Sequence, residues 1–228
     1  ISSQPSLGEL LNIMKKNLEE GHDVIGVFIS SEFSGTYNSA KLLSLELQEA
    51  YPNQKIAIID SESNSMQLGF MALIGARLTE QGENFETIVE TMEETIKRSR
   101  FLFIPENLTY LEKGGRIGKA GSLLGNVLKI TPILTVKDKK TEIYKTVRTK
   151  KRAIDTMIDK MLEDHALANV QEIAIHHINC EEEALELKEK VKALIDVDVV
   201  ISSIGPVIGL HVGPGAIGIV YTTKKDIR

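Results

Sequence analysis

One histidine near the C-terminus, His211, lies among five glycines, two prolines and apolar residues in the stretch 204–221. Histidine exchanges a proton near neutral pH, which suits it to ligand binding. A single histidine in apolar surroundings is usually a core residue, but a plain buried strand does not need these glycines and prolines. We therefore interpret His211 as a binding residue in a turn between strands that end near Ser203 and begin near Ala216.

A cluster of hydroxyl side chains lies at residues 30–36, directly after Val24–Ile29, an apolar run typical of a buried parallel strand. The cluster consists of Ser30, Ser31, Ser34 and Thr36. Ligands collect at the carboxyl ends of such strands, and the N-terminus of the helix that follows suits an anion. A helix cap needs only one hydroxyl. The excess makes Ser34 and Gly35 candidates for binding a carboxylate or a phosphate.

A second hydroxyl-rich stretch, Ser2–Ser6, precedes residues with the apolar spacing of a helix. Ser6 and Glu9 match a capping box, in which two side chains bond to backbone N–H groups at the start of a helix. On its own, this stretch predicts a helix cap rather than a binding site.

The segment 111–119 is rich in glycine and basic residues, with Arg116 directly after a pair of glycines. It lacks the spacing and the Lys-Ser/Thr pair of a P-loop, and no strand precedes it as in a dinucleotide-binding fingerprint. The pair Gly114–Gly115 suits a helix C-cap, which would place Arg116 at a strained, buried point where it needs an anionic partner. The alternative is a surface turn with solvated cations.

A basic cluster at residues 147–152 includes Arg148 and Lys150, at the end of a predicted strand and the start of a helix. A solvated surface is the simpler interpretation. The functional interpretation is a docking patch for an acidic partner or a phosphoryl group.

The composition excludes several classes of protein. A net charge of −5 and a pI near 5.6 argue against nucleic acid as a partner, and no run approaches the ~20 apolar residues of a membrane span. Cys180 is the only cysteine, which predicts a reducing, cytoplasmic location. The glutamates after it would raise its thiol pKa, so it is a poor nucleophile.

No metal, cofactor or familiar catalytic motif is predicted. His176 and His177 would face opposite sides of a strand, so they cannot bind one metal ion together. The sequence shows no nucleophile elbow, no HExxH and no Walker motif.

The order of the elements predicts an α/β fold with two domains. Alternating strands and helices over residues 1–99 predict a mainly parallel doubly wound sheet. Residues 100–228 contain six predicted strands, with a hairpin at Asp138–Lys140, and predict an α+β domain with a mixed, largely antiparallel sheet. A further helix is predicted at residues 119–128.

Taken together, these stretches resemble the DegV family, the bacterial fatty-acid-binding proteins that act as binding subunits of fatty acid kinase. The matching stretches are Ser2–Ser6, Ile29–Ala40, Asp60–Met66, Tyr110–Gly118, Thr131–Leu134 and the His211 segment. They follow the family's order from end to end, so together they are specific although each alone is weak.

The resemblance implies that one long-chain fatty acid, such as a C16–C18 acid, lies in a tunnel between the two domains. It implies that Ser2 and Ser34 hold the carboxylate, beside Gly35, and that Arg116 and His211 complete the polar network. Arg148, with Lys150 nearby, would meet the kinase. The protein would then be a carrier that presents the acid for acyl-phosphate formation and phospholipid synthesis, while ATP and metal belong to the kinase.

Two departures from the family pattern are visible. The family begins with a strand that carries an Asp-Ser-Thr turn, so we expect such a strand to precede Ile1. Ser2 stands where the family often has threonine, and the hydroxyl is kept.

Two other functions remain as alternatives. The same serines, Arg116 and His211 would suit an enzyme that acts on a small carboxylated or phosphorylated substrate. A DNA-binding regulator is disfavoured by the acidic charge. The shape of the pocket would separate the first alternative from a carrier, because a long dry tunnel favours a lipid and a short polar cleft favours an enzyme.

Overall fold

A computed structural model describes residues 2–124 and 130–227, and divides them into two compact units. The first, called the N-terminal unit, comprises Ser2–Asn64 and Leu68–Ile96. The second, called the C-terminal unit, comprises Ser65–Gln67 and the described residues from Lys97 onward. The predicted domain limits, 1–99 and 100–228, remain a prediction.

The N-terminal unit is built on a parallel pair of strands with helices on both faces. Its elements are α1 (Leu7–Glu19), β1 (Val24–Phe28), α2 (Thr36–Ala50), β2 (Ile56–Asp60), α3 (Ser65–Glu80) and α4 (Phe85–Glu94). Helix α3 belongs to this unit only from Leu68 onward, because Ser65–Gln67 belong to the C-terminal unit. Strand β1 pairs with β2 in register from Val24 opposite Ile56 to Phe28 opposite Asp60. The parallel register brings the ends of both strands to the same edge of the sheet.

Two apolar clusters cover the two faces of this sheet. One contains Met14, Leu18 and Leu47 from α1 and α2. The other contains Ile59 with Met71 and Ile88 from α3 and α4, together with Met92. Helix α1 begins at the predicted capping box, because the side chains of Ser6 and Glu9 each accept a hydrogen bond from the other residue's backbone N–H.

The C-terminal unit is a six-stranded sheet packed against helices. Its elements are β3 (Ser99–Ile104), α5 (Thr109–Lys113), a 3-10 helix (Gly118–Leu123), β4 (Thr131–Lys137), β5 (Lys140–Val147), α6 (Lys150–Ala168), β6 (Val170–His177), α7 (Glu181–Lys192), β7 (Val199–Ser203), α8 (Pro206–Val212) and β8 (Ile217–Thr223). The strand order is β5-β4-β3-β8-β6-β7, and among the described strands of this sheet only the pair β6–β7 is parallel. The predicted α/β fold class, with a mixed six-stranded sheet, is confirmed.

The core of the C-terminal unit lies between this sheet and helices α6 and α7. Its fully buried members include Met157, Met161, Ile173, Ile175 and Leu187. A buried carboxylate, Asp164, accepts hydrogen bonds from Arg100 Nε at 2.6 Å and from the Tyr221 hydroxyl at 2.8 Å. Burial of a charge is costly unless it is paired, so this network fixes α6 against β3 and β8.

The structure differs from two predictions for this unit, the turn around His211 and the helix at residues 119–128. His211 lies in helix α8, not in a turn. Pro206 fits the first turn of a helix because its missing N–H needs no partner there, and the glycines flank the helix or face outward within it. The helix predicted at 119–128 is a 3-10 helix that ends at Leu123, and residues 125–129 lie outside the described part of the chain.

Among the described residues, no helix combines the length and the apolar character that a bilayer crossing requires.

Candidate functional site

The hydroxyl-rich residues 30–36, called the serine turn, connect β1 to the start of α2. The hydroxyls of Ser34 and Thr36 share a hydrogen bond of 2.8 Å, and the backbone N–H of Thr36 donates to Ser34 Oγ at 3.3 Å. The N-cap of α2 is Gly35, without a side-chain cap, and the first turn has no acidic residue. A helix start of this kind favours an anion, through its N–H groups and the positive end of its dipole.

The side chain of Gln4 lies beside the backbone of Gly35. A methyl group built on Gly35 would lie 2.8 Å from Oε1 of Gln4. The same Oε1 accepts a hydrogen bond from the Ser39 hydroxyl at 3.3 Å. Gln4 therefore fixes the N-terminal stretch, which includes the partly buried Ser2, against the serine turn.

Asp60, at the end of β2, holds the serine turn in place. Its Oδ2 accepts from the Ser31 hydroxyl at 2.7 Å, and its Oδ1 accepts from the backbone N–H groups of Ser31 at 3.3 Å and Glu62 at 2.9 Å. The backbone N–H of Ser30 donates to the carbonyl of Ser63 at 2.8 Å. The two loops that follow β1 and β2 are thus bonded to each other at one edge of the sheet.

In the C-terminal unit, the residues Gly114–Gly118, called the glycine–arginine turn, follow helix α5. Gly114 is the C-cap of α5, as predicted, and Gly115 has a φ of 67°. Arg116 is half-buried, and its Nη1 donates to the carbonyl of Gly114 at 2.7 Å. The Thr141 hydroxyl donates to the carbonyl of Arg116 at 2.8 Å, which ties the turn to β5.

Gly118 also has no room for a side chain, at a φ of 54°. A methyl group on it would overlap with the carbonyl oxygen of Thr141 and lie 3.0 Å from its carbonyl carbon. This close approach of backbone to backbone explains why the motif ends in glycine.

Helix α8 brings His211 against this turn. The half-buried imidazole lies over Gly114, because a methyl group on that glycine would overlap with Nδ1 of His211. Burial lowers the pKa of His211, and the positive charge of Arg116 lowers it further. His211 is thus neutral at neutral pH in the ligand-free protein and lies near a permanent cation.

The proposed docking residues differ in exposure. Arg148 is exposed, as a docking residue requires. Lys150 is 29% exposed and its Nζ contacts Glu183 Oε2 at 2.8 Å, Glu106 Oε2 at 3.6 Å and the carbonyl of Gly215 at 3.2 Å. Lys150 therefore connects the start of α6 to α7 and to the turn before β8.

Cys180 and His176 contact backbone groups of the C-terminal unit. Burial raises the pKa of the Cys180 thiol, whose Sγ donates to the carbonyl of Ala216 at 3.3 Å. His176 Nε2 accepts from the backbone N–H of Met66 at 3.1 Å, and its Nδ1 lies 3.1 Å from the carbonyl of Ser202. Burial lowers the pKa of His176 to about 4.

The predicted site residues thus form two groups. Ser34, Gly35 and the partly buried Ser2 belong to the N-terminal unit, whereas Arg116 and His211 lie together in the C-terminal unit. The sequence alone assigned no role to three residues that support them, namely Gln4, Thr36 and Asp60. Asp60 directly follows the apolar run Ile56–Ile59, and this position was the signal that could have identified it.

A cleft of about 440 Å³ lies elsewhere in the N-terminal unit, between β1 and helices α3 and α4. Apolar residues such as Ile25, Val27 and Phe85 line it, with Asp23 and Glu83. Its lining includes none of the predicted site residues.

Comparison with known proteins identifies the family. The family model that describes uncharacterised proteins of the DegV family matches residues 1–224. The chain belongs to the DegV family. A DegV domain-containing protein of Clostridium acetobutylicum is 52% identical over 227 residues, which are 100% of this chain and 80% of that protein.

Solved DegV structures share the fold. DegV of Bacillus subtilis, described as a fatty acid binding protein, has a TM-score of 0.86 at 33% identity, with 97% of this chain and 78% of that one covered. A stearic acid-binding protein of Eubacterium ventriosum has a TM-score of 0.87 at 26% identity, with the same coverage of 97% and 78%. The predicted family is therefore confirmed.

Proposed function

We propose that this DegV-family chain binds a long-chain fatty acid and acts as a carrier rather than as an enzyme. The observation that carries the proposal is the serine turn, where α2 begins without a side-chain cap or an acidic residue and with the hydroxyls of Ser34 and Thr36 adjacent. Such a helix start suits a carboxylate. The family relatives described as fatty acid binding proteins support a lipid as the source of that carboxylate.

In this proposal, Ser2, Ser34 and Gly35 bind the carboxylate together with Arg116 and His211. The hydroxyls and the N-terminus of α2 supply neutral donors and the positive end of a dipole, whereas Arg116 supplies a full charge. A carboxylate beside His211 would favour the imidazolium, so ligand binding would raise the pKa that burial and Arg116 lower. The proposal requires that residues of both units contact one head group in the loaded protein.

The acyl chain would supply most of the affinity. Burial of one CH₂ group contributes about 0.8 kcal/mol, so roughly 14 methylenes in a proposed apolar tunnel would contribute about 11 kcal/mol before the costs of binding. The polar residues would then fix the orientation of the acid.

Native mass spectrometry of the purified and the delipidated protein tests the proposal directly. We expect the mass of one long-chain acid, such as a C16–C18 acid, to co-purify or to appear when the acid is added. A protein that takes up no fatty acid, or that prefers short carboxylated or phosphorylated compounds, would contradict the carrier function and favour an enzyme.

Replacement of Ser34 by alanine tests the head-group site. A hydrogen bond to a charged group contributes about 1.5–3 kcal/mol, so Ser34→Ala should weaken fatty acid binding roughly 10- to 100-fold in a titration with the acid. Ser44→Ala is the matched control, because this hydroxyl lies within helix α2, which Ser34 precedes, and donates to the carbonyl of Lys41. Equal affinities of the two variants would contradict the role of Ser34.

A fatty acid kinase is the proposed partner, and the exposed Arg148 is the proposed contact. The loaded protein would present the acid for phosphorylation to acyl phosphate, which enters phospholipid synthesis. The test adds a fatty acid kinase and ATP to the loaded protein and measures acyl phosphate. No product, or undiminished product with Arg148→Glu, would contradict this part of the proposal.

A further inference from the structure

Helices α5 and α8 contact each other through two glycine–ring pairs, and each pair takes its glycine from one helix and its ring from the other. From this arrangement we infer that Tyr110 is a positioning residue for His211. The inference deepens the proposed function and rests on it only for the ligand-binding part of the test. Tyr110 has no assigned role in the proposed carboxylate site.

The first pair joins Gly114 to His211. Gly114 is the C-cap of α5, and a methyl group built on it would overlap with Nδ1 of His211 and lie 3.2 Å from Cε1. The imidazole therefore packs directly on the glycine backbone, and a side chain there would displace it.

The second pair joins Gly213 to Tyr110. Gly213 is the C-cap of α8, at a φ of 84° and a ψ of 163°, a conformation that is essentially restricted to glycine. A methyl group on Gly213 would overlap with Cδ2 of Tyr110 and lie 2.7 Å from its Cε2 and Cγ. The tyrosine ring thus packs against the end of the helix that carries His211, two residues beyond the histidine.

These contacts matter because neither helix can hold its own geometry. Helix α5 has 5 residues and α8 has 7, and isolated helices of this length are not stable in water. Helix α8 has no fully buried residue, so core packing does not fix it. The position of α8 therefore depends on its contacts with α5. Tyr110 of α5 supplies one contact, with Gly213, and His211 of α8 supplies the other, with Gly114.

Tyr110 is 40% exposed, and one edge of its ring is covered by the backbone of Gly213. The helix that it fixes places His211 over Gly114, whose carbonyl binds Arg116. Loss of the Tyr110 ring should therefore free one end of α8 and move the imidazole away from both the glycine and the guanidinium.

The test measures the pKa of His211 by NMR titration of its ring in the ligand-free protein. In the wild type this pKa is lower than 6.5, because the imidazole is partly buried and lies near Arg116. Tyr110→Ala should raise it toward about 6.5 and should weaken fatty acid binding about tenfold. Tyr110→Phe should leave both unchanged, because the ring and not the hydroxyl contacts Gly213.

Tyr51→Ala is the matched control, since it removes a partly buried tyrosine from the N-terminal unit. It should leave the pKa of His211 unchanged. If Tyr110→Ala does not fold, Tyr110→Leu keeps the apolar volume without the ring and should raise the pKa in the same direction.

The inference would be overturned by an unchanged pKa of His211 in folded Tyr110→Ala or Tyr110→Leu, or by a shift with Tyr110→Phe as large as with alanine. Failure of the proposed function is a separate outcome. If the wild type binds no fatty acid, the carrier function fails, while the pKa of His211 still decides whether Tyr110 positions it.

Discussion

At the scale of single residues, the glycines of this chain are contact surfaces as much as points of flexibility. Gly114, Gly118 and Gly213 each lie where a Cβ would overlap with another group, whereas Gly209 has open space around it. The overlapping partners are His211, Thr141 and Tyr110. The glycine–arginine turn therefore exists in this form because other parts of the unit pack directly on its backbone.

Gly114→Ala should displace the His211 ring, since the methyl group would overlap with Nδ1 of His211 and lie 3.0 Å from the carbonyl oxygen of Tyr110. We expect fatty acid affinity to fall about tenfold or more and the pKa of His211 to rise toward its usual value. Calorimetric titration with the acid and NMR titration of the histidine measure the two effects.

Gly209→Ala provides the comparison for this substitution. It lies in α8, near His211, and an added methyl group meets nothing within 4 Å. Alanine also favours a helix by about 1 kcal/mol over glycine. This variant should bind as the wild type does, and a loss equal to that of Gly114→Ala would show that helix α8 tolerates no change, rather than that the His211 contact matters.

At the scale of elements, the serine turn depends on the loop that follows the neighbouring strand. Asp60 bonds to three donors, two from Ser31 and one from Glu62. The start of α2, where the carboxylate is proposed to bind, is thus fixed by an acidic residue that is not proposed to contact the ligand.

Asp60→Ala should loosen the serine turn without unfolding the protein. Each lost hydrogen bond to a charged group contributes about 1.5–3 kcal/mol in favourable cases, and part of this is recovered by water at the partly buried site. We expect a lower melting temperature and weaker fatty acid binding, measured by calorimetry and by titration.

Asp196→Ala removes an exposed aspartate and should change neither quantity. If Asp60→Ala lowers stability but leaves the affinity unchanged, the serine turn does not need this support to bind the ligand.

The elements themselves were largely predictable, but their contacts were not. Six strands were predicted for residues 100–228, and the described part of this range contains six. Helix α8 was missed because its glycines and prolines suggest turns, although Pro206 is favourable at the start of a helix. The contact of Tyr110 with Gly213 could not be predicted, since it joins residues about 100 positions apart.

At the scale of the whole molecule, one buried histidine makes stability depend on pH. The imidazole of His176 lies between the backbone of Met66 and that of Ser202, and burial lowers its pKa to about 4. In the unfolded chain the pKa returns to about 6.5. Between these values the unfolded state binds more protons, so the free energy of unfolding falls as the pH falls.

This contribution is complete above pH 6.5 and is lost progressively down to pH 4, with a total of roughly 3 kcal/mol from the gap between the two pKa values. Denaturant unfolding at several pH values in this window measures it. His176→Gln should be less stable at pH 7 but should show a smaller decrease toward pH 4.

His22→Gln is the control, because it replaces an exposed histidine of the N-terminal unit. If His176→Gln shows the same decrease as the wild type, other groups are responsible for the loss of stability in acid.

The hydrogen bond between Met66 and His176 also affects which fragments of the chain can fold on their own. Ser65–Gln67 belong to the C-terminal unit, although the remainder of α3 belongs to the N-terminal unit. A fragment that starts at Lys97 would lack the Met66 N–H that His176 accepts, and the Gln67 amide that donates to Ser99 Oγ. Such a fragment should therefore leave the buried polar groups of His176 and Ser99 without these partners.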